Sequence, residues 1–372
     1  MPEEMGAMAP GEEPEPQPGV VDPELADRIR QRVDALAEED AAVRQAAEAD
    51  LAAIGPPALA RLLFAVADSR LDIQHRLAAG DVLGRLGDPR FDAPDFTGPW
   101  IEVPAGPALI GSAPGEPEAQ TNALPQHEVD VALFAIGRFP LTNRAYALFV
   151  EDGGYEDAAL WHDDGWAWKN SFNITAPNSW QRAAARPNHP VTGICWYEAR
   201  ACCAWLTGRL TEREELRGGE VVRLPTEAEW EKAARGGLTL DRRRSIRNPM
   251  PARRFPWGDA FLVQVCNTAE SGIGGTSPVG MFPDSQSPYK LDDLGGNVME
   301  WCSSRPVAYP FHAHDGREST GGGVRAYRVA RGGAWPFSEA STRCAYRHWQ
   351  HADFRGGTIG LRLVRGRPAH VT

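Results

Sequence analysis

Between Pro23 and Arg90 the chain repeats itself. The stretch Arg44-Gln-Ala-Ala-Glu-Ala-Asp-Leu-Ala-Ala-Ile-Gly55 returns 32 residues later as Arg76-Leu-Ala-Ala-Gly-Asp-Val-Leu-Gly-Arg-Leu-Gly87, matching at arginine, the Ala-Ala pair, leucine and glycine. Each copy lays small and apolar residues along one helical face and stops at a glycine, where a left-handed C-cap is easiest. Pro56-Pro57 then suits the first turn of a new helix. Arrays of this kind need about three repeats to bury their faces, and about two are present. The segment is therefore expected to pack on the rest of the chain or on a protein partner.

The repeat resembles HEAT repeats, antiparallel helix pairs that stack into a solenoid. Ahead of it, residues 1–22 carry several prolines, six acidic residues and no basic one, the composition of a solvated, disordered tail. After Gly87-Asp88-Pro89-Arg90 the texture turns to glycine, proline and tryptophan with short strand-like runs such as Trp100-Ile-Glu-Val103 and Leu361-Arg-Leu-Val364. The expected division is a tail (1–22), HEAT-like helices (23–92) and an α+β domain (93–372). Helical patterns in that domain are sparse; the clearest run from Trp196 to Leu206 and from Thr226 to Arg235, the second opened by the capping box Thr226-Glu-Ala-Glu229.

Charge and cysteine content narrow the function. With 39 basic against 50 acidic residues the net charge is −11, which gives no general attraction to nucleic acid or anionic lipid. The longest nearly apolar stretch, Ala58 to Ala67, is interrupted by Arg61 and too short to span a bilayer. Six cysteines without a CxxC pair form neither a disulfide scaffold nor a zinc knuckle. No nucleic acid, no membrane and a cytoplasmic setting are expected.

From Trp100 to Arg365 a series of motifs occurs in order: Pro104-Ala-Gly106 with Ile110-Gly-Ser112, Pro140-Leu-Thr-Asn143, His189-Pro-Val191 with Trp196-Tyr-Glu-Ala199, Arg223-Leu-Pro-Thr-Glu-Ala-Glu-Trp230, Phe255-Pro-Trp-Gly258, Gly296-Asn-Val-Met-Glu-Trp301, Arg331-Gly-Gly-Ala-Trp335 and Ile359-Gly-Leu-Arg362. This series resembles the formylglycine-generating enzyme, or sulfatase-modifying factor, family. The resemblance implies a C-type-lectin-like α+β fold preceded here by the small α-helical HEAT-like domain.

Family members that make formylglycine hold copper on the paired thiolates of a Cys-His-x-Ser-Tyr-Cys stretch, ligands that suit soft Cu(I). Here the segment from Gly332 to Cys344 is shorter, lacks both cysteines and has Ala334 in the place of the family's serine. No copper is expected. Cys344 falls on a position that in some relatives pairs with a cysteine on the first helix of the domain, here Cys203. A branch resembling ergothioneine sulfoxide synthases binds iron through a His-x3-His-x-Glu motif on N-terminal helices, whereas these helices hold only His75. Another, resembling an oxidoreductase of siderophore maturation, relies on a glutamate at a place that Glu339 fills. His348, His351 and Asp353 supply the donor set of an open Fe(II) site, but an i, i+3 pair shares a face only on a helix and this segment lies between strand-like pieces. Structural calcium is implied at Asn267, Thr268, Ser271 and Ile273, and at a second loop through the hard oxygens of Asn297 and Glu300. The other reading of Asn297 and Glu300 is hydrogen bonding that holds the turn.

These features point to a non-catalytic module whose C-terminal loops present Phe337, Glu339, His348, Trp349, His351, Asp353 and Phe354 to a protein or small-molecule ligand, with the helices free to take a protein partner. Variable proteins of diversity-generating retroelements resemble this layout. The alternative is a non-haem metal-dependent oxidoreductase using Glu339 or the His348, His351, Asp353 set, and iron is expected only under it.

Overall fold

The structure, a computed structural model, describes residues 22–369 apart from Asp92 and Ala313; the expected disordered tail lies almost wholly outside the described residues. Four helices come first: α1 (Pro23–Asp34), α2 (Ala41–Ile54), α3 (Leu59–Ala67) and α4 (Ile73–Leu86). The two repeat copies are α2 and α4. Asp40 and Asp72 cap their N-termini through the amides of Ala42 and His75, while Gly55 (φ +71°) and Gly87 (φ +99°) end them.

The copies differ where the second meets the domain. Gly80 and Gly84 in α4 stand in register with Glu48 and Ala52 in α2. A Cβ at Gly80 would fall 2.5 Å from Pro278 Cγ, and one at Gly84 would fall 3.0 Å from Asn188 Cβ. Each interior glycine costs a helix about 1 kcal/mol against alanine, and here that cost is offset by close approach. Met281 and Phe282 from the domain enter the core that Ile29, Val33, Leu51, Leu62, Val66 and Leu83 build. Arg76, 3% exposed, donates to the carbonyls of Val66 and Met281 and lies over the Phe282 ring. No single helix among the described residues is long and apolar enough to cross a membrane.

The domain begins with β1 (Trp100–Val103), β2 (Gly106–Ile110), β3 (His127–Val131) and β4 (Phe134–Gly137). Helices α5 (Asn143–Glu151), α6 (Asp163–Ser171), α7 (Trp180–Ala184) and α8 (Trp196–Glu212) follow, then β5 (Val221–Arg223) and α9 (Glu227–Arg235). The chain closes with β6 (Met299–Trp301), β7 (Tyr327–Arg331), β8 (His348–His351), β9 (Ile359–Gly360) and β10 (Val364–Gly366). One sheet has the order β1-β4-β10-β5, a second is the β2-β3 hairpin, and the third runs β8-β7-β6-β9. All pairings are antiparallel except β6 with β9. The expected α9 and its capping box are present, with Thr226 and Glu229 exchanging side-chain and backbone bonds. The strand-like run at 361–364 instead spans a crossing between sheets, because Arg362 turns inward to Glu300.

Strands this short leave much of the backbone in loops, and buried ion pairs hold it. Glu227 of α9 accepts from Arg331 Nη1 at 3.0 Å and from Arg347 Nε and Nη2 at 2.6 and 2.8 Å. One turn on, Glu231 accepts from Arg331 Nη2 at 2.6 Å and from the Gly111 amide at 2.8 Å. Burial alone would push the Glu227 carboxyl up; Arg347 and Arg331 outweigh it and hold the group below its ordinary value. Asp293 is the converse case. It sits at φ +56° with the Gly280 amide as hydrogen-bond donor, and burial together with the Asp292 charge pushes its carboxyl up to about 7.

Replacing Glu227 by alanine leaves the buried Arg347 guanidinium without a carboxylate and Arg331 with Glu231 alone, and should cost about 3–5 kcal/mol, read from urea denaturation. Because the folded state keeps a proton on Asp293 that the unfolded chain releases, this group stabilises below the ordinary aspartate pKa, and its contribution is lost as pH rises towards about 7. Asparagine tolerates the left-handed conformation. Asp293→Asn should therefore raise the melting temperature above neutral pH and shrink its fall between about pH 4 and 7; a parallel pair of melting curves would refute this.

Candidate functional site

The segment in which the family resemblance places chemistry leaves β7 at Arg331. Gly332 and Gly333 both have positive φ; a Cβ on Gly333 would lie 2.6 Å from Ser341 Oγ, so the loop folds closely back on itself. The Trp335 amide donates to Asn297 O, the Phe337 carbonyl accepts from the Ala269 amide, and the Glu339 amide donates to Glu270 Oε1. Phe337 is 39% exposed, and the Glu339 carboxylate has no partner among the described residues.

No thiol reaches this loop's surface. All six cysteines are buried and free, and burial pushes Cys203, Cys266 and Cys344 up to about 12, which keeps them from acting as thiolates. Cys203 and Cys344 are not the neighbours that the resemblance implied. Cys203 belongs to the core cluster built around α8, whereas Cys344 belongs to a separate cluster that also takes in Ala233 and Ala234 of α9. The Arg331–Glu231 pair holds Cys344 there, since Arg331 also donates to its carbonyl.

The histidines and Asp353 do not converge. His348 and His351 lie on β8, where residues three apart face opposite ways. The His351 ring stacks on Tyr327 at 4.1 Å and bonds the Arg325 carbonyl; Asp353 faces Arg325 at 3.9 Å. Burial holds the His348 imidazole below its ordinary pKa. Among the described residues no group of three or more histidine, cysteine, aspartate and glutamate side chains is arranged to hold a metal, so these three residues do not come together in the donor set that the alternative reading named. Trp349 and Phe354 are 37% and 36% exposed, and the Phe354 ring folds over Gly356.

The residues named for calcium hydrogen-bond one another and the adjoining turns. Asn267 gives its amide to Gly275 O and Ser277 Oγ, and its oxygen accepts from Ser271 Oγ. The Thr268 carbonyl accepts from both the amide and hydroxyl of Ser271, and the Ile273 amide returns to that hydroxyl. Asn297 exchanges hydrogen bonds with the Ser277 backbone. Glu300 gives both oxygens to Arg362 and also accepts from Trp230 Nε1 at 2.6 Å. A cation there would have to displace a guanidinium.

Sequence reasoning missed a cavity of about 1050 Å³ at the other end of the first sheet, between β4, β5, β10 and the loop 311–319. On its wall Glu318 accepts from Ser303 Oγ and Ser304 Oγ at 2.6 and 2.5 Å and is in salt-bridge contact with no cation among the described residues. Burial pushes this carboxyl above its ordinary value. Arg217 and Arg367 reach the rim without ion-pair partners among the described residues. No motif marks this loop; its residues meet only through the fold.

A profile for sulfatase-modifying factor enzyme 1-like domains matches residues 92–367. Hercynine oxygenase from Mycolicibacterium thermoresistibile is 33% identical over 294 residues, 73% of this chain and 59% of its own length. Inactive C-alpha-formylglycine-generating enzyme 2 from Mus musculus is 32% identical over 240 residues, 55% of this chain and 68% of its own. The solved structure of PvdO from Pseudomonas aeruginosa matches with a TM-score of 0.49 at 24% identity, covering 72% of this chain and 95% of PvdO. The chain spans about three fifths of the length of the hercynine oxygenases it matches. From Asp92 to Arg367 the chain belongs to the sulfatase-modifying factor family, with four α-helices set ahead of the family domain.

Proposed function

We propose that this chain is a recognition module: a sulfatase-modifying-factor domain that binds a protein or small-molecule ligand and lacks the family's copper chemistry. The observation that carries this reading is the loop after Gly333, which exposes Phe337 and brings no thiol while every cysteine lies buried. The binding residues are Phe337 and Glu339 beside Ala269 and Glu270, and His348, Trp349, His351, Asp353 and Phe354 along β8 and its turn. Half-exposed aromatic rings with polar neighbours suit a binding surface. A variable protein of a diversity-generating retroelement is one form of such a module; it requires a near-copy template of the Gly332–Arg362 segment, differing at adenines, beside the gene.

A second reading has a specific observation in its favour: identities of 31–33% to three mycobacterial hercynine oxygenases. Under it the chain is a non-haem oxidoreductase. Glu339 is then the carboxylate left with a free side chain, since His348, His351 and Asp353 are held apart.

Metal analysis of protein purified without chelator separates the two. Under the recognition reading iron and copper are substoichiometric, and oxygen uptake with ferrous iron, hercynine and a thiol stays at background. Copper, oxygen and a Cys-x-Pro-x-Arg peptide should yield no aldehyde. Stoichiometric iron with hercynine-dependent oxygen uptake, abolished in Glu339→Gln, would establish the second reading instead. Joint replacement of Phe337, Trp349 and Phe354 by alanine should shift the melting temperature by only a few degrees, because surface residues contribute roughly 0.5 kcal/mol or less each; a larger fall would place these rings in the core.

A further inference from the structure

Where the helices meet the domain, a carboxylate, an imidazole and a hydroxyl stand in hydrogen-bonded series. Asp81 projects from α4, His189 belongs to the loop after α7, and Thr276 lies in the loop that leads to Pro278. His189 Nε2 is 2.9 Å from Asp81 Oδ1, and Nδ1 is 2.8 Å from Thr276 Oγ1. An ionised carboxylate can only accept, so Nε2 carries the ring proton and Nδ1 accepts from the threonine hydroxyl. The imidazole is 2% exposed. Burial holds its pKa below the ordinary value against the pull of Asp81, with Arg186 adding to the depression, so the ring is neutral at pH 7. Burial pushes the Asp81 carboxyl up, but the bond to His189, the His189 charge and the charges of Arg186 and Arg85 bring it below its ordinary value.

This series faces open space. A groove of about 550 Å³, walled by both the helices and the domain, includes all three residues. Glu38 and Glu39 stand on its helical wall and Arg182 and Arg186 on its domain wall, and these four side chains have no ion-pair partners among the described residues. Arg44 meets the carbonyls of Glu38 and Glu39 rather than their carboxylates. The amides of Gly274, Gly275 and Thr276 donate to no acceptor among the described residues, with Gly274 at φ +73°. A hydroxyl hydrogen-bonded to an oriented neutral imidazole, with unengaged amides in the same loop, supplies the groups that acyl transfer uses.

We propose that Thr276, His189 and Asp81 form an acyl-transfer site that hydrolyses small esters of zwitterionic, amino-acid-like acids. Thr276 Oγ attacks the ester carbonyl carbon and its proton passes to His189 Nδ1. The carbon–oxygen bond to the leaving alcohol breaks and that oxygen takes the proton from Nδ1. Water then attacks the acyl-threonine, giving its proton to Nδ1; threonine oxygen leaves and recovers that proton, releasing the free acid. The amides at 274–276 take the oxyanion, Arg182 and Arg186 the substrate carboxylate, and Glu38 and Glu39 its ammonium group. Asp81 is a positioning residue that holds the ring tautomer. This site is separate from the C-terminal loops and stands or falls independently of the recognition reading.

The test uses the full chain with the γ-p-nitrophenyl ester of glutamic acid, and p-nitrophenyl acetate for comparison. Saturable release of nitrophenolate is expected, with the glutamyl ester preferred and an acyl adduct mapping to the peptide that contains Thr276. Thr276→Val, nearly isosteric, should abolish release and adduct, and Thr276→Ser should restore both. Asp81→Asn should lower kcat by roughly a hundredfold or more, leave KM within about twofold and move the pH inflection of kcat downward as the imidazolium loses its counter-charge. Arg182→Gln with Arg186→Gln should raise KM for the glutamyl ester alone. Circular dichroism checks that each variant folds. Release that persists in a folded Thr276→Val protein, or the absence of both release and adduct from the wild-type chain, would overturn the proposal.

Discussion

The paired carboxylates of α9 anchor the family domain. Glu227 and Glu231 lie one turn apart on the same face and share Arg331, while Glu227 also takes Arg347. One helix thereby ties β7 to the loop before β8, and through the Gly111 amide it ties in the first hairpin as well. Lys232 adds the carbonyls of Pro104 and Gly106. The physical need is plain: strands of two to five residues satisfy few backbone groups, and a buried carbonyl without a donor is costly. Guanidiniums take the place of ladder amides. Arg328 donates to the carbonyls of Ser303, Ser319, Thr320 and Gly321. Arg362 does the same for Gly137, Arg138 and Asp292 while its charge is met by Glu300.

This use of charge decides what the domain can do at its C-terminal end. Glu300 gives both oxygens to Arg362, and Asn267 and Asn297 tie neighbouring turns together. The C-terminal loops of this frame present the half-exposed rings of Phe337, Trp349 and Phe354 together with the Glu339 carboxylate. Fixed loops on such a frame can present side chains for recognition, and the same frame leaves the Glu339 carboxylate available to the second reading.

The helical unit is joined to this frame by a specialised copy of its own repeat. Replacing the positions of Glu48 and Ala52 with Gly80 and Gly84 lets α4 lie against Pro278 and Asn188, and the domain returns Met281 and Phe282 to the helical core. Neither part closes its apolar face without the other. Their junction is consequently a fixed groove, and it brings Asp81 within hydrogen-bond reach of His189.

Much of this architecture was legible in the residues. The repeat, its glycine stops, the Thr226 capping box and the ordered motifs of the family domain all express local rules, in which a few neighbouring side chains decide a turn or a cap. Helices α5, α6 and α7 were not legible, because they are only nine, nine and five residues long, too short for a helical period to stand out without the tertiary packing that stabilises them. The order of residue types carries both the fold family and the missing copper thiols, since each depends only on which residues stand where along the chain. Only the tertiary structure decided which charges meet: Glu300 with Arg362, Cys344 against α9 rather than Cys203, and Asp81 with His189 and Thr276 across 108 and 87 residues of chain. A side-chain hydrogen bond depends on distances of about 3 Å, and no spacing along the chain encodes those when the partners come from separate elements.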